Sequence, residues 1–299
     1  NILDAIFLSL AARLSGNLVL IDICEWFPAT QYRKGYFSPQ FWADLCRRHL
    51  VTRICDGVIA ISDFVDKKLN VYGCRTILGP AMVDNDTKED VETKKSYSEP
   101  CQSEKGKNFT IGYSGKGKPE DGLGILFKAF VELNKAGHIC ELSISGPLTY
   151  SKLIRKEWFK DCGATPEILE RLNINGLKSL PEYFAFKQSV DCFVLPRPSC
   201  LTNRANFPTR VPNFMALGKP VIAGGAGEIG RLLTHRKDVL LINPDKSCRA
   251  IQDQLVELMS DRVFAEHLGQ RGKNAALDLF DCDHHCRRLL RWMNNMLPC

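Results

Sequence analysis

Short apolar, β-rich runs alternate with segments of helical period in two series along this chain, and one polar stretch separates the series. NLVLIDIC, DGVIAIS and TILGP precede it; NFTIGYSG, CELSISGP, VDCFVLP, KPVIAGG and VLLINP follow it. Short runs that are apolar on both faces read as buried strands of a parallel sheet, and helical crossovers between them make the class α/β. The intervening helical segments include Pro39–Arg53, SDFVDKKLNVYG with Ser62 as its cap and Gly73 as its stop, LGILFKAFVELNKAG, TPEILERLNI, SLPEYFAFKQS, VPNFMALG and GEIGRLLTHR. Two long helices are expected to finish the chain.

Residues 84–107 are polar, charged and almost free of aliphatics, so they cannot build a core and read as a linker or surface loop. The 299 residues then divide into a partial first domain (1–83), that linker, a second domain (108–275) and a C-terminal helix (276–299) expected to cross back to the first domain. The chain begins at Asn1 inside a run, NILDAIFLSLAARLSG, that already has helical period. The first domain is therefore expected to be incomplete, truncated at its N-terminus.

A hydrophobic share of 44% and a charged share of 25% are those of a globular chain able to bury a core. The net charge of +6 suits an anionic small substrate or an anionic membrane surface, and is too weak to carry a nucleic-acid reading. No run reaches the length of a membrane-spanning helix, and the start lacks the order of a signal peptide. The 13 scattered cysteines, without CxxC pairs, read as reduced thiols of a cytoplasmic protein. Cys282, His284, His285 and Cys286 are too crowded for usual zinc spacing, so no metal site is expected.

In a doubly wound domain, ligands bind outside the carboxyl ends of the strands. The turn after NFTIGYS holds Gly112, Gly115, Lys116, Gly117, Lys118 and Gly122, a composition that lets backbone amides and lysines approach a phosphate. A solvated turn with two surface lysines is the competing reading. A dinucleotide fingerprint is not met, because the spacing is not GxGxxG and CELSISGP ends without the acidic residue that would hold a ribose. Asp22 and Glu25 follow a buried strand, where a carboxylate could orient or deprotonate an acceptor hydroxyl, or simply cap a turn. Arg33, Lys34, Arg47, Arg48 and Arg53 read as a solvated helix face, ahead of a contact to anionic lipid or a phosphorylated acceptor, and Phe41, Trp42 and Leu45 as core, ahead of a hydrophobic acceptor wall.

The run Phe207-Pro208-Thr209-Arg210-Val211-Pro212-Asn213-Phe214-Met215-Ala216-Leu217-Gly218-Lys219-Pro220-Val221-Ile222 resembles the signature of the group 1 (family 4) retaining glycosyltransferases. Asn175 to Glu182 resembles the family's loop against the nucleotide base, and DICEWFP, DGVIAIS and the last helix also sit where the family has equivalents. The resemblance implies a GT-B fold, two Rossmann-like domains facing across a cleft. It implies a retaining, metal-independent transferase that moves a sugar from a nucleotide-diphosphate sugar to a glycan or lipid-linked acceptor in polysaccharide biosynthesis. It needs no cofactor, and it acts in the cytoplasm or peripherally on the inner membrane face. The implied donor-binding residues are Gly115, Lys116, Lys118, Leu177, Ser179, Leu180, Thr209, Arg210, Val211 and Asn213. The implied catalytic side is the acceptor side, with Asp22 and Glu25. The family's two glutamates fall on Ala205 and Asn213, which keeps a sugar-nucleotide epimerase, a phosphorylase or a non-catalytic member open as alternatives.

Overall fold

The computed structural model describes residues 2–83, 108–176, 179–243 and 247–296. The expected linker at 84–107 lies outside the described residues. The chain divides into two units, of which the first comprises Asn1–Met82, Cys200–Pro208 and Cys282–Cys299. The second comprises Val83–Ser199 and Thr209–Asp281. The first unit thus takes back a nine-residue stretch, Cys200–Pro208, from the middle of the second series, and its last segment starts at Cys282 rather than at 276.

The first unit is built on a parallel sheet of β1 (Leu20–Ile23), β2 (Gly57–Ala60) and β3 (Thr76–Leu78), in that order. Val58, Ala60, Val65 and Leu69 are fully buried between this sheet and the helix Asp63–Asn70. Ser62 caps that helix by accepting the Val65 N–H, which removes one of its orphan donors. The terminal helix Cys282–Asn294 belongs here because Gly57 lacks a side chain: a Cβ there would lie 2.4 Å from the Trp292 ring. Arg288 from the same helix donates to the Leu78 carbonyl.

Two expectations fail in this unit. Trp42 is exposed, because its indole N–H reaches out to the Tyr36 carbonyl at 2.7 Å, whereas Phe41 is buried. Arg48 is not on a solvated face but 3% exposed, held by Asp44 one helical turn earlier, by the Phe27 carbonyl and by the Tyr32 hydroxyl. Burial alone would raise the Asp44 pKa. Hydrogen bonds from Arg48 and Tyr32, with the charges of Arg48 and Arg47, outweigh it and hold the carboxyl below its ordinary range. A depressed carboxylate stabilises the fold above its unfolded pKa, and the contribution is lost as pH falls through the folded value. Asp44→Asn is therefore expected to cost about 2 kcal/mol in urea unfolding at pH 7, the scale of hydrogen bonds to a charged group. The gap between wild type and variant should narrow as pH falls below 3.8, the ordinary value of the group, and a gap that does not change with pH would remove the ionic account.

The second unit carries a six-stranded, all-parallel sheet in the order β6-β5-β4-β7-β8-β9. The strands are β4 (Phe109–Ser114), β5 (Cys140–Ser145), β6 (Leu172–Ile174), β7 (Cys192–Leu195), β8 (Val221–Gly224) and β9 (Leu240–Ile242). β4, β7 and β8 are buried along their whole length, as their apolar runs require. The core joins this sheet to the helix Leu123–Lys135, where Leu126, Phe127 and Phe130 are at most 1% exposed. The segment TPEILERLNI divides into a short helix, Pro166–Leu169, and the strand β6; pairing with β5 overrides its helical pattern. Three helices rather than two finish the chain: Ser247–Ser260, Arg262–Leu279 and Cys282–Asn294. The architecture is mixed α/β with two parallel sheets. No helix of the described residues is long and apolar enough to cross a membrane.

Candidate functional site

The strand order of the second unit locates a crevice. β4 to β6 build outward on one side and β7 to β9 on the other, so the direction reverses between β4 and β7. At such a switch point the loops leaving two neighbouring strands diverge and open a crevice at their carboxyl ends. Here those loops are 115–122 and 196–199.

Glycines hold the two loops against each other and against β8. A Cβ at Gly122 would lie 2.8 Å from the Pro196 side chain, and one at Gly224 only 2.2 Å from the Pro196 carbonyl. Between these contacts Arg197 has φ +38, a region that non-glycine residues seldom occupy. Strained backbone of this kind persists only where packing over-determines it, and it concentrates at functional sites.

The loop 115–122 is a turn of small residues. Gly115 donates its N–H to the Ser145 carbonyl, Gly117 and Gly122 have φ of +62 and +75, and Asp121 accepts the Lys118 N–H at 3.3 Å. Gly146, with φ +150, packs so closely that a Cβ would sit 2.1 Å from the Gly115 carbonyl oxygen. The Gly146 N–H donates to the Gly176 carbonyl, and the Asn175 amide donates to Ser143 at 2.8 Å. The start of the Asn175–Glu182 loop therefore lies beside the glycine turn.

Arg210 opens the helix Arg210–Met215 and reaches the same turn from ninety-odd residues away in sequence. Its Nη2 donates to the Asp121 carboxylate at 3.0 Å. Its Nη1 lies where a Gly115 side chain would be, 2.3 Å from the position of that Cβ, with the Tyr113 hydroxyl 2.7 Å from the same point. Nη1 and the Tyr113 hydroxyl are both buried and have no hydrogen-bond partner among the described residues. Burial and the Asp121 charge push the Tyr113 hydroxyl pKa up, against the opposing pull of Arg210, so it stays protonated.

Lys116 is exposed, and Lys118 pairs with Glu120 at 3.5 Å, so two of the three expected cations already face carboxylates of the loop. Thr209 and Asn213 are exposed, and the Asn213 amide nitrogen donates back to the Thr209 carbonyl at 3.1 Å. Val211 is fully buried, so its side chain serves packing. Ser179 caps the helix Leu180–Ser189, where Leu180 is the first residue, and Glu182 accepts from both its N–H and its hydroxyl. Leu177 lies outside the described residues. Ala205 is buried in the first unit, its carbonyl accepting from Ser62.

Asp22 and Glu25 belong to the first unit, at and just beyond the end of β1. Asp22 accepts from the Cys24 thiol at 3.0 Å, and burial with this carboxylate pushes that thiol up to about 12; Glu25 is exposed. Among the described residues no group of three or more His, Cys, Asp or Glu side chains comes together to hold a metal. The Cys282 and Cys286 sulfurs lie 3.7 Å apart.

Sequence reasoning missed Tyr113, Asp121 and Arg197. Asp121 sat in plain view inside the glycine turn, and the pair Pro196–Pro198 around Arg197 marked a fixed turn at a strand end. Tyr113 carried no signal beyond its place in a buried strand.

Residues 108–261 match the model of the family described as Glycosyl transferases group 1. No curated protein matches the chain by sequence. Solved structures share the fold at low identity. HepE of Anabaena, in complex with UDP, superposes with a TM-score of 0.73 at 14% identity, over 99% of this chain and 77% of its own. Sucrose-phosphate synthase of Thermosynechococcus elongatus gives 0.67 at 17%, over 96% and 70%. A glycosyltransferase of Rickettsia africae gives 0.67 at 14%, over 99% and 81%.

Proposed function

The chain belongs to the group 1 glycosyl transferases, and from that membership we propose that its second unit binds a nucleotide-diphosphate sugar for transfer to a saccharide or lipid-linked acceptor. The observation that carries this reading is the seating of Arg210 on the Gly115 turn, tied to Asp121 at the switch point of the sheet. It joins the two segments that a diphosphate would need, a turn with approachable amides and a fixed guanidinium.

The departing nucleoside diphosphate is an anion, and catalysis of such a transfer is mostly positioning and charge stabilisation. Arg210 and Lys116 neutralise it, with Lys118 as a more distant charge, while the Gly115 turn and the backbone at Thr209 and Val211 supply N–H donors. Asn213 contributes its amide to a ribose hydroxyl, and Ser179, Leu177 and Leu180 are assigned to the base side, where Ser179 caps the helix Leu180–Ser189. Asp22 or Glu25 orients the acceptor hydroxyl in the first unit. Transfer with retention and without a metal follows the family resemblance, as do a place in polysaccharide synthesis and work on the cytoplasmic membrane face. Uridine is the first base to test, because HepE was solved with UDP and with UDP-glucose.

The test is thermal stabilisation by UDP, GDP, ADP and CMP, with NAD as control, since a ligand that binds only the folded state raises its stability. One nucleoside diphosphate should stabilise selectively, and Arg210→Ala should weaken that ligand at least tenfold, roughly 1.4 kcal/mol. A shift with NAD alone, or an Arg210→Ala variant that binds equally well, would overturn the assignment. Ala205 and Asn213, where the family carries glutamates, favour a second reading in which the unit binds donor without turnover. Incubation with a labelled sugar nucleotide separates the two: transferred or hydrolysed sugar excludes it.

A further inference from the structure

A cavity of about 800 Å³ opens in the second unit beside the helix Leu123–Lys135, and part of its wall is the loop 115–122. Its floor is apolar: Leu123, Ile125, Ala250 and the Trp158 indole. Gly124 stands in the first turn of that helix and lines the cavity, at a place where glycine costs about 1 kcal/mol relative to alanine. The cost is offset by the indole, since a Cβ at Gly124 would lie 2.9 Å from Trp158 Cγ. Trp158 is further fixed by Phe127, with ring centroids 5.6 Å apart.

The rim is cationic. Lys118, Lys128, Lys156 and Arg249 line it against a single carboxylate, Asp253. Arg249 pairs with Asp253 at 3.0 Å and Lys118 with Glu120. No carboxylate of the described residues pairs with Lys128 or Lys156, which leaves two full positive charges beside an apolar floor. A cavity of this size with an apolar lining and a few convergent polar groups is the form of a small-molecule site.

We propose that this cavity binds a phosphate-headed amphiphile, its apolar chain on Trp158 and Ile125 and its phosphate between Lys128 and Lys156. Charge complementarity sets the head and the lining sets the tail. An uncharged apolar ligand would leave both lysines unanswered, and a bare anion would leave the floor wet. Gly117 and Lys118 belong to both the cavity wall and the glycine turn, so an occupant touches the backbone of the proposed donor loop. The assignment does not depend on the donor reading.

The probe is octyl phosphate, titrated into the full chain by calorimetry beside octanol and inorganic phosphate. Octyl phosphate should bind at least tenfold tighter than either part alone. Lys128→Ala combined with Lys156→Ala should abolish the advantage over octanol, and Ala250→Trp, which fills the floor, should abolish binding altogether. A cooperative thermal melt serves as the folding check for each variant. Equal binding of inorganic phosphate would reduce the feature to an anion patch, equal binding of octanol to a greasy groove. Either result, or full affinity in both variants, overturns the proposal.

Discussion

Gly146→Ala should lower the melting temperature of the protein by roughly 6–12 °C, the equivalent of about 3 kcal/mol for a unit of this size. Two costs combine. The φ of +150 lies in a region that only glycine occupies readily, worth about 1–3 kcal/mol of strain for any other residue. The new Cβ would also sit 2.1 Å from the Gly115 carbonyl oxygen, and neither side of that contact is a flexible side chain. Gly137→Ala is the control, because its φ is +86 but nothing lies within 4 Å of the added carbon. It should cost only the backbone term, about 1–2 kcal/mol. If the two variants melt together, the close approach of the turns contributes nothing. Because the displaced atom belongs to the turn proposed to meet the donor phosphates, the surviving folded fraction of Gly146→Ala should also lose nucleotide affinity, whereas Gly137→Ala should keep it.

Phe214→Ala should cost about 3–5 kcal/mol, the usual range for removing a fully buried aromatic ring. Phe214 and Phe193 are both completely buried, with ring planes 6° from parallel and centroids 3.9 Å apart. That stack fastens the helix Arg210–Met215 to β7, the strand at the switch point. The same short helix presents Arg210 and Asn213, so its loosening should weaken the donor ligand along with the fold. Phe214→Leu keeps most of the volume and should cost less than half as much. Urea unfolding of the three proteins decides the matter, and an alanine variant within about 1 kcal/mol of wild type would mean that the ring is not an anchor.

The fold was legible because parallel α/β chains write their topology as buried runs. FTIGYS, CFVL and VIAG are each buried at every position, so their strands needed no partner to be recognised. The strand Leu172–Ile174 was not legible: its pattern, partly exposed at the sheet edge, continues the preceding helix, and only pairing with Leu142–Ile144 makes it a strand. Arg48 misled for a related reason, since nothing in RRHLV distinguishes the arginine that meets Asp44 indoors from the one that meets it outdoors. At the site, glycine spacing marked the turn, but charge balance was hidden. The pairing of Arg210 with Asp121 crosses 89 residues, and only the folded chain reveals that a carboxylate occupies part of the expected cationic cradle.

The return of Cys200–Pro208 and Cys282–Cys299 to the first unit has a consequence for the order of synthesis. Domains commonly fold in the order they leave the ribosome. Here earlier residues wait for later ones: Gly57 of β2 has no Trp292 ring over it until the helix Cys282–Asn294 emerges, and Ser62 has no Ala205 carbonyl to meet until that residue is made. The second unit, whose sheet is complete at Ile242 and whose last helix ends at Leu279, can close before the first has all its parts. A nascent chain stalled short of Cys282 would therefore carry a finished second unit together with an unfinished first one, with protease sensitivity confined to the segments of the first unit.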